Sequence, residues 1–261
     1  GPPNRPRAPA APPATPTILI APQFLTEADA DANSLAPDTL RWTLHGWEAG
    51  YPAVGPAPAS SFDALDAILA KLADRLLFPN LKQVVVAGHS GGAQLVQRYA
   101  IAAKGDMALT QAGIGVRYVV ADPSSYAWFS PDRPEPSIAA TCPGFDQWRY
   151  GMEKRPLYFA GSTTAALEQA YLARRVIYLL GTLDNYPNHR ALDKTCMAEA
   201  QGPNRYARGH AFAAAMQARD NGAPNHSVWD VPGVAHSGRK MLTSPCGLKA
   251  LFDAPGCEAA P

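Results

Sequence analysis

The apolar run Gln83-Val84-Val85-Val86-Ala87 empties into Gly88-His89-Ser90-Gly91-Gly92, and a helix-compatible stretch over residues 91–103 follows at once. A strand that must turn into a helix within so few residues leaves few folds open. Glycines flank the serine of a G-x-S-x-G turn because side chains there would collide across the bend. The turn holds the serine hydroxyl clear of the sheet and aims the next backbone N–H, that of Gly91, at a reacting carbonyl oxygen. An ordinary glycine-rich turn can carry the same letters; the strand before and the helix after favour the nucleophile reading.

A serine nucleophile needs a base and an acid. The run Arg175-Val176-Ile177-Tyr178-Leu179-Leu180-Gly181 reads as a buried strand and leads into Thr182-Leu183-Asp184. The run Ser227-Val228-Trp229-Asp230-Val231 reads as a last strand, followed by the loop Pro232-Gly233-Val234-Ala235-His236-Ser237-Gly238. Serine, aspartate and histidine in that chain order, each at a strand exit, predict a triad of Ser90, Asp184 and His236. Asp122 also closes a strand, in Val119-Val120-Ala121-Asp122-Pro123, and is the alternative acid. Asp184 is preferred because an acid after the penultimate strand is the commoner arrangement; Asp122 is then expected on the Ser124/Ser125 turn. His89 is expected to point away from the site, and His189-Arg190 to be solvated surface.

With these residues in view, the chain resembles the α/β-hydrolases of the serine-esterase kind, and more narrowly a group of bacterial and fungal members. The shared stretches are Ala21-Pro22-Gln23-Phe24, Gly88-His89-Ser90-Gly91-Gly92, Asp122-Pro123-Ser124-Ser125-Tyr126, Gln201-Gly202-Pro203-Asn204-Arg205 and Pro232-Gly233-Val234-Ala235-His236. The resemblance covers nearly everything from about residue 17 onward. The resemblance implies an α/β fold, a mostly parallel sheet with helices on both faces, and a loop-rich cap insertion at about residues 123–170. It implies hydrolysis of carboxylic esters through an acyl-enzyme; a small-molecule ester is the expected substrate, and no cofactor or metal is expected. Amidase or lactonase activity on the same triad, and an impaired relative acting as a binding protein, are the alternatives.

Similar proteins carry an earlier strand ending in His-Gly, whose loop gives the second oxyanion-hole N–H. Here His45-Gly46 is followed by too little chain before the helix at residue 61, and too little precedes residue 17. Either N-terminal strands are missing, or a strand over residues 17–21 lies beside the nucleophile strand. In the second case the oxyanion hole joins Gly91 N–H to that of Gln23 or its neighbour Phe24.

A length of 261 residues suits one domain over residues 17–261, after a disordered Pro/Ala-rich lead-in over residues 1–16. The net charge of +1 gives no footprint for nucleic acid. No apolar run reaches the roughly 18–20 residues of a membrane span. Cys142, Cys196, Cys246 and Cys257 lack metal or redox spacing. Three pairings are open; Cys142–Cys196 and Cys246–Cys257 are expected, which points to a secreted or periplasmic protein. A helix is expected over residues 61–77 and another over residues 204–219, ending before Asn221-Gly222. Tyr126, Trp128, Phe129, Phe145, Trp148 and Tyr150 either line an acyl or aryl pocket or pack the insertion's own core, with Trp42 and Trp47 able to reach them from the early loop.

Overall fold

Alternation along four strands sorts the core of the computed structural model, which describes residues 16–219 and 225–258. The strands are β1 (Gln83–His89), β2 (Gly115–Ala121), β3 (Val176–Gly181) and β4 (His226–Val231), all parallel and in the order β1-β2-β3-β4. Tyr118, Val120, Val176, Tyr178 and Leu180 face one way; Val119, Ala121, Ile177, Leu179, Trp229 and Val231 face the other. Both faces are therefore apolar, as in a parallel sheet covered on both sides.

The helices supply those covers. On the first face lie α3 (Gly91–Ala102), over β1 and β2, and α8 (Arg205–Arg219), over β3 and β4. Sequential strand order with right-handed crossovers puts both on that side. After β4 the chain crosses to the second face, where α9 (Gly238–Leu242) and α10 (Pro245–Phe252) contribute Met241, Cys246 and Ala250. The remaining helices complete the order: α1 (Glu27–Ala32), α2 (Ser61–Leu72), α4 (Gly105–Gln111), α5 (Pro136–Thr141), α6 (Thr164–Leu172) and α7 (Cys196–Glu199).

Three expectations about elements change. Residues 17–21 form no strand, and Ile18, Leu19 and Ile20 lie exposed; among the described residues β1 is paired on its β2 side alone. Just beyond it, the Phe24 ring packs against Trp42 and Trp47. The helix expected over residues 61–77 stops at Leu72, because the Asp74 carboxylate takes the Leu76 N–H in a turn and Arg75 turns inward to the Leu81 and Ala112 carbonyls. Its cap is Ser60, in a reciprocal capping box with Asp63; the hydroxyl of Ser61 is spent on the Trp47 carbonyl instead. The expected helix at residue 204 begins at Arg205; the expected lead-in up to residue 15 and the Asn221-Gly222 stop lie outside the described residues.

Between β2 and β3 the chain carries α5, a 3-10 turn (Leu157–Phe159) and α6. Tyr126 stacks on Phe212 at 4.6 Å, and Trp148 meets Phe159 edge-on at 4.5 Å. Tyr126, Trp128, Phe129, Trp148 and Tyr150 are all buried, so these rings form a packing core. Arg133 gathers the loop, donating to the Asp146 carboxylate at 2.8 Å and the Tyr150 carbonyl at 3.1 Å. A disulfide joins Cys142 to Cys196 at the start of α7, and a second joins Cys246 in α10 to Cys257.

Candidate active site

Ser90 sits where β1 becomes α3, with φ 58° and ψ −119°. A non-glycine residue at positive φ is strained, and here its N–H is tied to the Ala121 carbonyl at the end of β2. Of the motif's glycines, Gly88 is the obligatory one: a Cβ there would meet the Gly92 carbonyl oxygen at 2.2 Å. Gly92 has open space around it, so the expected collision arises on one side of the serine only.

Three strand exits converge on that hydroxyl. His236, in the loop after β4, has Nε2 at 2.9 Å from Ser90 Oγ and Nδ1 at 2.6 Å from Asp184 Oδ2. A carboxylate only accepts, so Nδ1 carries the proton and donates to Asp184. Nε2 is left to accept the serine O–H, which is the tautomer a general base requires. Burial alone would raise the Asp184 carboxyl; the His236 hydrogen bond, then the Arg205 charge, outweigh it and hold the carboxyl below the usual range.

Asp122 lies close by but is not the carboxylate bonded to His236. Its carboxylate does not cap the Ser124/Ser125 turn: Oδ1 accepts the Gly181 N–H at 3.0 Å, and the residue is fully buried. Arg205 and Arg208 attend that turn instead. Arg205 reaches Ser124 Oγ at 3.1 Å and Asp184 Oδ1 at 3.3 Å and also donates to the Ala191 carbonyl; Arg208 holds the Ser124 carbonyl at 2.6 Å.

Two histidines expected outside the site are in it. The His89 ring lies 4.6 Å from that of His236 at an interplanar angle of 33°, and His189 meets the same ring edge-on at 5.1 Å. Burial, then the proximity of His236, push His89 down to about 4, so it is a neutral ring at neutral pH. Gly238 leaves room for it: a Cβ there would lie 3.1 Å from His89 Nδ1.

At the oxyanion side, the N-terminal amides of α3 have no acceptor within the helix, Gly91 N–H among them. The neighbours of Gly91 are Trp47 and Glu48; a Cβ on Gly91 would lie 3.2 Å from the Trp47 ring and 3.6 Å from Glu48 Oε1. Gln23, expected as the second donor, is exposed, with its side-chain amide on the Ala21 carbonyl, and no strand over residues 17–21 carries it to the site. Glu48 is buried and closely held, by Gln94 at 2.8 Å, His45 at 3.1 Å and Arg149 at 3.4 Å, with the Arg98 guanidinium at 3.8 Å. Sequence reasoning missed Glu48, Arg205, His89 and His189; the shared Gln201-Gly202-Pro203-Asn204-Arg205 stretch was the available pointer to Arg205.

This architecture is the α/β-hydrolase fold. A solved poly(aspartic acid) hydrolase from Sphingomonas sp. KT-1 superposes with a TM-score of 0.54 at 24% identity, over 77% of this chain and 68% of that one. A poly(3-hydroxybutyrate) depolymerase from Bordetella parapertussis superposes with a TM-score of 0.55 at 24% identity, over 80% of this chain and 64% of that one. The chain thus spans about two thirds of the length of each. No protein-family model and no curated protein sequence matches it.

Proposed function

We propose that the protein is a serine hydrolase that cleaves carboxylic esters. Ser90 attacks the ester carbonyl as His236 Nε2 takes its proton; the imidazolium then returns that proton to the leaving alcohol. Water repeats the cycle on the acyl-enzyme. Asp184 keeps the imidazole in its working tautomer and stabilises its charged form. Gly91 N–H faces the developing oxyanion. The reading rests on one observation, the continuous hydrogen-bond chain from Ser90 Oγ through His236 to Asp184. The two structural neighbours are named for hydrolysing poly(aspartic acid) and depolymerising poly(3-hydroxybutyrate); a small ester is preferred here because the triad's chemistry asks for no more than an accessible acyl group.

Two disulfides suit an oxidising compartment, so export from the cytosol belongs to the same reading. Among the described residues no helix is long and apolar enough to cross a membrane.

A fluorophosphonate probe should label Ser90, and chromogenic esters of graded acyl length should be hydrolysed. Ser90→Ala should abolish labelling and lower turnover by roughly a million-fold, the scale on which losing a triad serine acts. Ester turnover within tenfold of the parent in a folded Ser90→Ala protein would refute the proposal. A second reading, an impaired relative that binds without turning over, draws on the Glu48 carboxylate beside Gly91, where negative charge must develop. It requires labelling at Ser90 with no measurable ester hydrolysis.

A further inference from the structure

Behind the triad lies a second carboxyl that the chemistry above does not use. Asp122 follows β2 in a left-handed conformation, φ 47°, with its carboxylate against Gly181 at the end of β3 and within 4.8 Å of a His89 ring nitrogen at the end of β1. It is completely buried. One oxygen accepts the Gly181 N–H; the other, Oδ2, is buried and receives no N–H or O–H from the described residues. A carboxylate oxygen of Asp122 lies within 4.8 Å of ring nitrogens of His89 and His236, the same His236 ring that Asp184 holds at 2.6 Å, so the Asp184 carboxyl acts directly on Asp122. Two carboxylates cannot share a hydrogen bond without a proton.

Charge points the same way. From β1 the group facing Asp122 is His89, which is neutral; from the loop after β3 it is Asp184; from α8, Arg205; from the loop after β4, His236; and from its own loop, the Tyr126 phenol. Arg205 is the guanidinium in this set, and it already serves Asp184. Two ionised carboxyls would leave one buried negative charge uncompensated, which a low-dielectric interior does not tolerate.

We propose that Asp122 keeps its proton at neutral pH and donates it to Asp184, extending the hydrogen-bond chain to Ser90–His236–Asp184–Asp122. Asp122 is thus a positioning residue that acts through Asp184, and this role rests on the triad reading. Asp184 accepts three donors: the His236 Nδ1–H, the Arg205 guanidinium and the Asp122 carboxyl. Burial, then the Asp184 charge, push the Asp122 carboxyl up to about 8. The pair is driven apart in the manner of other carboxyls that share a site. Above that pH a second negative charge appears against Asp184 and the bond orienting it is lost, so turnover should fall on the alkaline side.

Asparagine is the discriminating replacement, because its amide keeps an acceptor for Gly181 and a permanent donor for Asp184. Asp122→Asn should be at least tenfold more active on a chromogenic ester than Asp122→Ala at neutral pH. It should also lose the alkaline fall that the parent shows with a midpoint near 8. Equal activity in the two variants, or an unchanged alkaline fall in Asp122→Asn, would overturn the proposal. Carboxyl NMR of the parent protein, labelled with carbon-13 at aspartate side chains, needs no variant to fold. One aspartate should remain protonated at neutral pH; completion of every aspartate titration within the ordinary carboxylate range would overturn the proposal. Fluorophosphonate labelling of the same sample tests the nucleophile separately. An unlabelled Ser90 beside a late-titrating aspartate would remove the triad reading and support the proton pair.

Discussion

At the residue scale, two neighbouring aspartates are proposed to do opposite work. Asp184 is ionised and accepts from His236 at 2.6 Å; Asp184→Asn presents an amide that favours the wrong imidazole tautomer, and about a 10,000-fold loss of turnover is expected. Initial rates on a chromogenic ester measure it, and a loss smaller than that of Asp122→Asn would exchange the two roles. Their stability signatures are also opposite. Asp184, held low in the folded protein, contributes stability that is complete above the ordinary aspartate range and is lost as pH falls through its folded-state value. Asp122, held high, does the reverse: the folded state keeps a proton the unfolded chain releases, so stability falls from the ordinary range, about 4, up to about 8. The melting temperature of Asp122→Asn relative to the parent should therefore climb across that window and level off above it. A constant difference from pH 4 to 8 would contradict the high value.

At the scale of elements, the strands were legible because their signals are local, and so was the placement of the three residues proposed as the triad. Apolar runs mark β1 to β4, and Ser90, Asp184 and His236 each lie within a few residues of a strand's end. The rest of the site arrives by long-range packing that no local pattern encodes. Glu48 meets Gln94 across 46 residues, and Arg205 meets Ser124 across 81. His89 is illegible for a related reason: the x of such a turn is expected to face away, whereas the loop after β4 folds His236 back over it. The segment at residues 17–21 has a strand's composition without a strand's neighbour, and a lone strand has no partner for its N–H and C=O groups. The Glu48 cluster invites a measurement at this scale. Glu48 faces the fully buried Arg98 guanidinium, which burial, then Arg149, push down to about 10. Glu48→Ala removes the carboxylate facing that cation while its hydrogen bonds to Gln94 and Ser125 remain, and a loss of about 3–5 kcal/mol is expected in urea unfolding. A loss under about 1 kcal/mol, the scale of an exposed pair, would show the cluster to be solvated.

Across the whole molecule the two disulfides restrain loops of very different span, 54 residues for Cys142–Cys196 and 11 for Cys246–Cys257. On chain entropy the longer loop contributes about 4 kcal/mol and the shorter about 3 kcal/mol. Paired Cys→Ser variants should rank in that order in denaturant titrations; the reverse order would mean that native contacts, and not chain restriction, carry the effect. Non-reducing peptide maps should return the same two links.

The origin of the proposed triad has a practical consequence of another kind. Its members come from the exits of β1, β3 and β4, with β2 between them holding the Ser90 N–H. No half of the sheet can assemble the nucleophile alone. If Ser90 reacts as proposed, the fraction of a refolded batch that captures one equivalent of phosphonate counts the molecules whose entire sheet is in register. Misfolded copies with normal mass, intact disulfides and full helix content would register as silent.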